Sequence, residues 1–436
     1  MIKILYHNAI GSYLLKPTVF HLTIITLLIA LLYKQVYKFD FLIGWDDQWF
    51  VLNDYTRDGF TWNNLYDIIT DFYYGQYAPV NQLYYTTVYF LFGNNPMWFH
   101  IGGVLLHLVN VVLLYFLFIK ISKLLFRAPE TTYKQVAFVG AILFAVSPFN
   151  LEPVAWVAAS KVTLYAFFYL VAIDFYQKYI LTAGSRYYYL TILFFTISFG
   201  AKEQAVTLPF CLILLDYMYK RDFRNNIVWY EKMPFFVLSL FFGIVTIQSQ
   251  GQAVMESTNF YPVYQRVILA FYTVSEYLTK ALVPINLSYL YPFPFQVGSP
   301  VPNWLLFYPA AILIVIFCFY RILCKRWVLF GMLFFLIHIV FVVNIFSLAR
   351  FSIVADRYAY LANAGIYFIL GYGFVRLTYE SSVRKLVLGI GLVYISYFIF
   401  YTHYHLAVWT NVTTLKEKIS DTIKERPDYQ LWKEKQ

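Results

Sequence analysis

Charged residues are scarce in this sequence. Asp, Glu, Lys and Arg make up 13% of its 436 residues, whereas hydrophobic residues make up 61%. Ordinary soluble domains contain about 25% charged residues, so this composition excludes a conventional soluble protein. Apolar runs of about 20 residues, the length that crosses a bilayer, recur along the whole chain. The sequence therefore predicts an all-α polytopic membrane protein.

Cysteine is also scarce, and no short catalytic motif is present. The three cysteines, Cys211, Cys318 and Cys324, lie in or beside apolar runs and show neither a disulfide framework nor zinc spacing. The chain has no Walker A, GxGxxG, HExxH or GxSxG pattern, which leaves an ATPase or a simple hydrolase unsupported. We therefore expect neither a metal nor an organic cofactor.

The charges of the short loops predict how the helices cross the membrane. The net charge is +10. Lys and Arg cluster between apolar runs, as they do in cytoplasmic loops, so this charge does not indicate nucleic-acid binding. Alternating the loops gives about 11 crossings, a cytoplasmic N-terminus and an outer C-terminus. A long first extracytoplasmic loop covers residues 38–95.

One apolar segment, residues 263–283, conflicts with this alternation. If it crossed the membrane, the basic cluster at 321–326 would lie outside. We therefore predict a peripheral or re-entrant helix on the outer face, where Lys280 suits a polar cavity. The transmembrane domain is predicted over residues 1–405, and residues 406–436 are predicted to form a short extracytoplasmic helical tail.

Most charged residues that interrupt the apolar pattern lie at predicted outer helix ends. Charge at such positions is costly in a bilayer and usually lines a polar cavity or pathway. We predict one outward-facing cavity that holds both carboxylates and cations. Its residues are Asp46, Asp47, Glu152, Lys161, Lys202, Glu203, Lys280, Asp356 and Arg357.

The adjacent carboxylates Asp46 and Asp47 follow the first predicted crossing. Neighbouring side chains diverge on a helix or a strand, so we expect two different roles rather than a proton-sharing pair. In a partly desolvated cleft, either carboxylate can act as a general base. The alternative is a helix N-cap beside a solvated acid.

Lys161, Lys202 and Arg357 form a candidate phosphate-binding site. Such cations bind phosphate oxygens and stabilise an anionic leaving group as its charge develops. The alternative is that they snorkel to the membrane surface or pair with neighbouring carboxylates.

His100 and His107 share one face of an apolar helix with Asn110. Metal binding would need closer spacing and a third ligand, so hydrogen bonds between helices are the favoured interpretation. His100, at the outer end of this helix, can also reach the cavity.

Several short segments, taken in order, resemble the integral-membrane GT-C glycosyltransferases. The resemblance is to the membrane region of the transmembrane-and-TPR O-mannosyltransferases, the TMTC family, and to its bacterial relatives. It extends over about residues 40–365. The matching segments are Trp45-Asp46-Asp47, Tyr77-Ala78-Pro79-Val80, residues 91–96 followed by His100 and His107, residues 143–148, 152–156 and 201–209, Leu215-Asp216-Tyr217, and residues 355–361.

This resemblance implies a GT-C-like bundle whose first outer loop carries the catalytic acid. The donor would be a polyprenyl-phosphate monosaccharide in the outward-facing cavity. The family's usual acceptors are protein Ser or Thr hydroxyls, and a glycan hydroxyl is the alternative. Asp46 or Asp47 would be the catalytic carboxylate, and Lys161, Lys202 and Arg357 would bind the donor phosphate. In a bacterium the site would face the periplasm across the inner membrane. Residues that would line or support the cavity are Glu152, Glu203, Asp356, His100 and Lys280.

The chain also departs from this family. Ala78 stands where the family usually has Arg, Ser147 where it has His, and Ser160-Lys161 where it has Gly-Arg, which keeps the positive charge. The chain stops where TPR repeats would begin, so we expect that the TPR region is absent. These repeats would normally help to present a protein acceptor.

Two other classes of protein are alternatives to the transferase. A lipid or polysaccharide transporter (a flippase) would also hold charge in an aromatic cavity, but it should show internal repeats and functional charges reaching both faces. No repeat is visible in the sequence. A non-catalytic scaffold would not require carboxylates and cations at so many helix ends. The transferase is therefore favoured, and the resemblance implies transfer of a mannose-like hexose, with inversion, from a lipid phosphate to a hydroxyl.

Overall fold

A computed structural model describes residues 2–256, 261–345 and 352–424, and in these ranges every regular element is a helix. The all-α class is therefore confirmed for the described part of the chain. The last twelve residues of the predicted tail, 425–436, lie outside it. The first helices are α1 (Ile2–Leu32), α2 (Asp46–Phe50), α3 (Asp54–Arg57), α4 (Trp62–Thr70), α5 (Pro79–Phe92), α6 (Pro96–Leu125), α7 (Glu130–Val146), α8 (Glu152–Ala155) and α9 (Ser160–Thr182).

The second half of the chain continues in the same way, and short 3₁₀ turns join several of its helices. One such turn, Glu203–Thr207, follows α10, and another, Asp356–Ala359, precedes α17. The helices are α10 (Ser185–Ala201), α11 (Leu208–Met218), α12 (Asn226–Tyr230), α13 (Met233–Glu256), α14 (Val263–Leu282), α15 (Phe307–Leu323), α16 (Arg326–Ile339), α17 (Asn363–Thr378), α18 (Arg384–Leu406) and α19 (Val412–Lys424).

Six helical segments in the described ranges are long and apolar enough to cross a membrane, which supports an integral membrane protein. The predicted number of about 11 crossings stays a prediction, because other apolar helices such as α7, α10, α16 and α17 have only 14 to 17 residues. The orientation of the helices also stays a prediction. The six segments are Lys16–Lys38, Pro96–Leu125, Val157–Thr182, Asn226–Ser249, Asn303–Leu323 and Arg384–Trp409.

The centre of the bundle is formed where α7 packs against α6 and α17, and where α9 packs along α10. The contact between α16 and α17 depends on two glycines. A Cβ atom added to Gly365 would lie 2.2 Å from the carbonyl oxygen of Gly331, and one added to Gly331 would lie 2.4 Å from that of Gly365. Small residues at a crossing let two helix backbones approach closely, which is how membrane helices gain packing energy.

The two histidines of α6 make the predicted contacts between segments. The ring of His107 lies 2.8 Å from the Tyr360 hydroxyl and 3.2 Å from the Ala145 carbonyl oxygen. The ring of His100 lies 2.9 Å from the Ala155 carbonyl oxygen and 3.4 Å from that of Asp40. Both side chains are buried, so these bonds satisfy their nitrogen atoms and fix α6 against its neighbours.

Residues 38–95, predicted as a long outer loop and called the first outer segment below, contain four helices, α2 to α5. Side-chain caps define two of them: Asn53 accepts a hydrogen bond from the Thr56 amide, and Thr61 accepts one from the Asn64 amide. The Gln82 side chain of α5 donates to the Thr56 hydroxyl at 2.7 Å. The segment is therefore ordered, and α5 is joined to α3.

The segment predicted as peripheral or re-entrant forms the helix α14. Its buried positions include Leu269, Thr273, Tyr277 and Lys280, which recur at the three- and four-residue spacing of an amphipathic helix. Its placement relative to the membrane surface stays a prediction.

Candidate functional site

Asp47 is enclosed and holds the first outer segment against the start of α9. It is 0% exposed, and one of its oxygens accepts a hydrogen bond from the Leu42 amide at 2.9 Å. The other oxygen accepts one from the Ala158 amide at 2.8 Å. Burial raises the pKa of Asp47 to about 6, although both amide hydrogen bonds act to lower it. Asp47 thus joins two segments that are distant in sequence.

Asp46 is half-buried and lines an open cavity of about 750 Å³. Burial raises the pKa of its carboxyl group, while the positive charges of Lys161 and Arg357 act to lower it. The two adjacent aspartates therefore have different environments, because α2 turns one side chain into the protein and the other towards the cavity.

This cavity, called the cation cavity below, is formed by segments from five parts of the chain. They are the first outer segment, the start of α9 with the residues just before it, the turn after α10, the C-terminal half of α13 and the 3₁₀ turn before α17. Its lining residues are Asp46, Gln76, Tyr77, Ala78, Trp156, Ala158, Ala159, Lys161, Lys202, Glu203, Thr246, Ser249, Arg357 and Tyr358.

Arg357 is held by a carboxylate and by aromatic rings. Its guanidinium lies 2.5 Å from one oxygen of Glu152, and its backbone amide donates to the other oxygen at 2.9 Å. The guanidinium carbon is 5.5 Å from the ring of Trp156, 5.3 Å from that of Tyr289 and 5.1 Å from that of Tyr358. Such contacts fix the planar cation in one orientation.

Lys202 and Lys161 are held more loosely than Arg357. The Lys202 ammonium is 3.4 Å from a Glu203 oxygen and 5.3 Å from the Tyr358 ring, and its side chain is 3% exposed. The Lys161 ammonium donates to the side-chain carbonyl of Gln76 at 2.6 Å. Burial acts to raise the pKa of Glu203, but Lys202 and Lys161 outweigh it and hold that pKa below its usual value.

A tight turn brings Gln76 to Lys161. Tyr73 and Gln76 exchange two backbone hydrogen bonds of 3.1 and 3.0 Å, and both residues between them have positive φ, 47° at Tyr74 and 69° at Gly75. This is the geometry of a two-residue type I′ turn. A Cβ atom added to Gly75 would lie 3.5 Å from the Ser249 carbonyl oxygen. The turn therefore also contacts the C-terminal half of α13.

Three other predicted site residues lie outside the cavity lining. Asp356 accepts a hydrogen bond from the Tyr291 hydroxyl at 2.8 Å, and burial and the nearby Glu152 raise its pKa well above the usual value. Lys280 pairs with Glu276 at 3.4 Å. His100 makes the backbone contacts given above. Of the predicted set, the structure brings together Asp46, Lys161, Lys202, Glu203 and Arg357 around the cavity. Asp47, Glu152, Asp356, Lys280 and His100 lie outside its lining.

Several residues that line the cavity or contact Arg357 were not identified from the sequence. Gln76 follows Tyr74-Gly75, and the glycine was the only available sign of a turn at that point. Ser249 lies in a short polar run in the C-terminal half of the apolar helix α13. Tyr289, which contacts Arg357, lies in a segment without regular structure and gives no signal in the sequence.

The cation cavity is suited to bind an anion beside a carboxylate. Three cations and two carboxylates line it. Glu152, which lies outside the lining, forms an ion pair with Arg357. In the described residues, no group of three His, Cys, Asp or Glu side chains is placed to hold a metal ion. The arrangement can stabilise a developing negative charge while Asp46 accepts a proton.

Comparison with known proteins adds a partial similarity. The chain is 32% identical to protein O-mannosyl-transferase TMTC1 of Mus musculus over 166 residues, which cover 34% of this chain and 16% of the mouse protein. It is 33% identical to the Homo sapiens protein of the same name over 105 residues, which cover 23% of this chain and 11% of that protein. The matches therefore span a small part of both relatives. No protein-family model matches the chain, and no solved structure matches it.

Proposed function

We propose that this protein is a membrane glycosyltransferase that moves a mannose-like hexose from a polyprenyl monophosphate to an acceptor hydroxyl on the outer side of the membrane. The observation that carries the proposal is the cation cavity, in which Asp46 stands with three cations. The partial similarity to two O-mannosyl-transferases and the six apolar helical segments also support it.

In the proposed reaction, Asp46 accepts the proton of the acceptor hydroxyl. The hydroxyl oxygen forms a bond to the anomeric carbon, and the bond between that carbon and the phosphate oxygen breaks. Attack from the face opposite the phosphate inverts the anomeric configuration. The electron pair of the broken bond stays on the lipid phosphate, whose charge is stabilised by Lys202, Arg357 and Lys161.

Two buried carboxylates position these groups without contacting the substrate. Asp47 holds α2 through the amides of Leu42 and Ala158, so it sets the direction of Asp46. Glu152 holds both the amide and the guanidinium of Arg357. Their removal is expected to disturb geometry, because each would leave buried hydrogen-bond donors without partners.

The test uses the purified protein in liposomes with a synthetic polyprenyl-phosphate [¹⁴C]mannose and a panel of hydroxyl acceptors. We expect release of the lipid phosphate and formation of a labelled mannoside of inverted configuration, with little product from a matched preparation of Asp46→Asn. Movement of intact lipid-linked sugar across the bilayer, without release of the phosphate, would contradict the proposal and identify a transporter.

A further inference from the structure

A second cleft adjoins the cation cavity on the side of the first outer segment. The two share Gln76, Ala78, Ala158 and Lys161 in their linings. The second cleft, called the side cleft below, is not lined by any of Asp46, Lys202 or Arg357. Its remaining walls therefore have a different chemistry, and the hydrogen bond between Lys161 and Gln76 stands at the boundary of the two spaces.

Aromatic rings form part of the side cleft. The rings of Tyr55 and Tyr73 meet edge to face, with centroids 5.2 Å apart and an interplanar angle of 88°. Phe50 lines the cleft nearby. Two rings at right angles present one flat apolar face and one edge, which suits a ligand with a small apolar surface.

Three side chains with hydrogen-bond acceptors also line the side cleft. Asn81 is 5% exposed, and its side-chain oxygen has no hydrogen-bond partner in the described residues. The carboxylates of Asp67 and Asp71 line the cleft as well, and Asp71 already accepts from the Tyr55 hydroxyl at 2.9 Å. The Asn81 oxygen is therefore free to accept a hydrogen bond from a ligand or a water molecule. These groups favour a ligand with several hydroxyl donors, whereas the two carboxylates disfavour an anion.

We propose that the side cleft binds the pyranose ring of a sugar, with its hydroxyls directed to Asn81 and Asp67 and one ring face against Tyr73. This inference rests on the proposed function and deepens it by naming a sugar subsite beside the phosphate site. The ring has two sources: the hexose of the lipid donor, or the terminal sugar of a glycan acceptor. Both share the same chemistry in the cleft.

Binding is tested without catalysis, by saturation-transfer NMR between the purified protein and methyl α-D-mannopyranoside, with the glucoside and the galactoside for comparison. We expect Tyr73→Ala and Asp67→Ala each to weaken binding about tenfold, as loss of a good polar or aromatic contact does. The matched control is Tyr66→Ala, because Tyr66 is 68% exposed in the same outer segment and lines neither cavity. Asp67→Ala keeps the test valid if Tyr73→Ala disturbs the turn.

Steady-state kinetics then distinguish the two sources. An increase in KM for the lipid donor, with the acceptor at saturation, assigns the cleft to the transferred hexose. An increase in KM for a glycan acceptor alone assigns it to the acceptor. Unchanged sugar binding and unchanged KM values in both variants would overturn the subsite. If the wild-type protein binds the glycoside through Tyr73 and Asp67 but transfers no sugar, the proposed reaction fails and the subsite stands.

Discussion

Two clusters of buried charge lie near opposite ends of α9, and they are built differently. At one end is the cation cavity around Lys161. At the other end is a neutral network, defined as Asp216, Arg221, Glu231 and Lys232 with the hydroxyl of Tyr176. Tyr176 is fifteen residues after Lys161 in α9, so roughly 22 Å of helix separates them.

The charges of the neutral network satisfy each other. The Lys232 ammonium is 2.5 Å from an Asp216 oxygen, and Arg221 is 2.6 Å from Glu231. Tyr176 donates to the other Asp216 oxygen at 2.8 Å. Its two cations and two carboxylates balance, and in the described part of the chain none of the four lines one of the cavities discussed above.

The cation cavity keeps charges that face open space. Three cations and two carboxylates line it, and a third carboxylate, that of Glu152, pairs with Arg357 from outside the lining. Buried charge alone therefore does not indicate a ligand-binding site in this molecule. The difference is that one cluster is closed on itself, whereas the other leaves cations available to a ligand.

The largest expected effect is a loss of activity at the cation cavity. We expect Asp46→Asn to lower the rate of sugar transfer about 10²- to 10⁴-fold, the usual contribution of a general base. Donor affinity should change little, because the cations remain. The measurement is single-turnover transfer from the synthetic lipid donor. Asp54→Asn is the matched control, since Asp54 is an exposed aspartate of the same outer segment that lines neither cavity.

The next effect concerns stability. We expect Lys232→Met to lower the free energy of unfolding by at most about 3–5 kcal/mol, because it removes the nearer of the two cations that pair with the buried Asp216 and leaves only Arg221 at 3.2 Å. Denaturant unfolding of the purified protein measures this loss, and the double variant Asp216→Asn/Lys232→Met should recover part of it. If the single variant unfolds like the wild type, the neutral network does not have the structural role assigned here.

A smaller effect is expected from the corresponding lysine of the cation cavity. Lys202→Met should weaken binding of the lipid donor by about 1.5–3 kcal/mol, the range for a hydrogen bond to a charged group. Its free energy of unfolding should fall less than that of Lys232→Met, since its partner Glu203 is 43% exposed. Donor binding and unfolding are measured on both variants. If Lys202→Met and Lys232→Met bind the donor with equal affinity, the two clusters do not differ in ligand binding as proposed.

The smallest effect is a shift in the pH dependence of transfer. The unprotonated form of Asp46 is the base, so transfer should rise with pH as that carboxyl group ionises. Burial raises the pKa of Asp46, whereas the positive charge of Lys161 acts to lower the pKa of that same carboxyl group. Lys161→Met should therefore move the acidic limb of kcat/KM to higher pH. An acidic limb that does not move, or that moves to lower pH, would contradict the role of Asp46.

The helical class was predictable because hydrophobic runs are local features of the sequence. Alternating the loops predicted that Asp46, Lys202 and Arg357 lie on one side of the membrane. The structure brings all three to one cavity, although more than 150 residues separate Asp46 from either cation. The number of crossings stays a prediction, because a helix such as α16 has 14 residues, fewer than the roughly 20 that cross a bilayer.

Different roles for Asp46 and Asp47 were expected, but which of the two faces the cavity was not predictable, because it depends on local geometry. Gly44 has a φ of 76°, and α2 begins two residues later, so the direction of each side chain follows from one turn. The Ala158 amide, which fixes Asp47, is 111 residues away in the chain. Gln76 and Tyr289 likewise reach their charged partners only through tertiary folding.

The most direct measurement is a density map of the protein with a polyprenyl-phosphate mannose bound, obtained with the Asp46→Asn variant to prevent turnover. We expect the phosphate to lie within hydrogen-bond distance of Lys202 and Arg357, with residue 46 facing the anomeric carbon. A headgroup bound elsewhere, with the cation cavity holding only solvent, would contradict the proposed reaction.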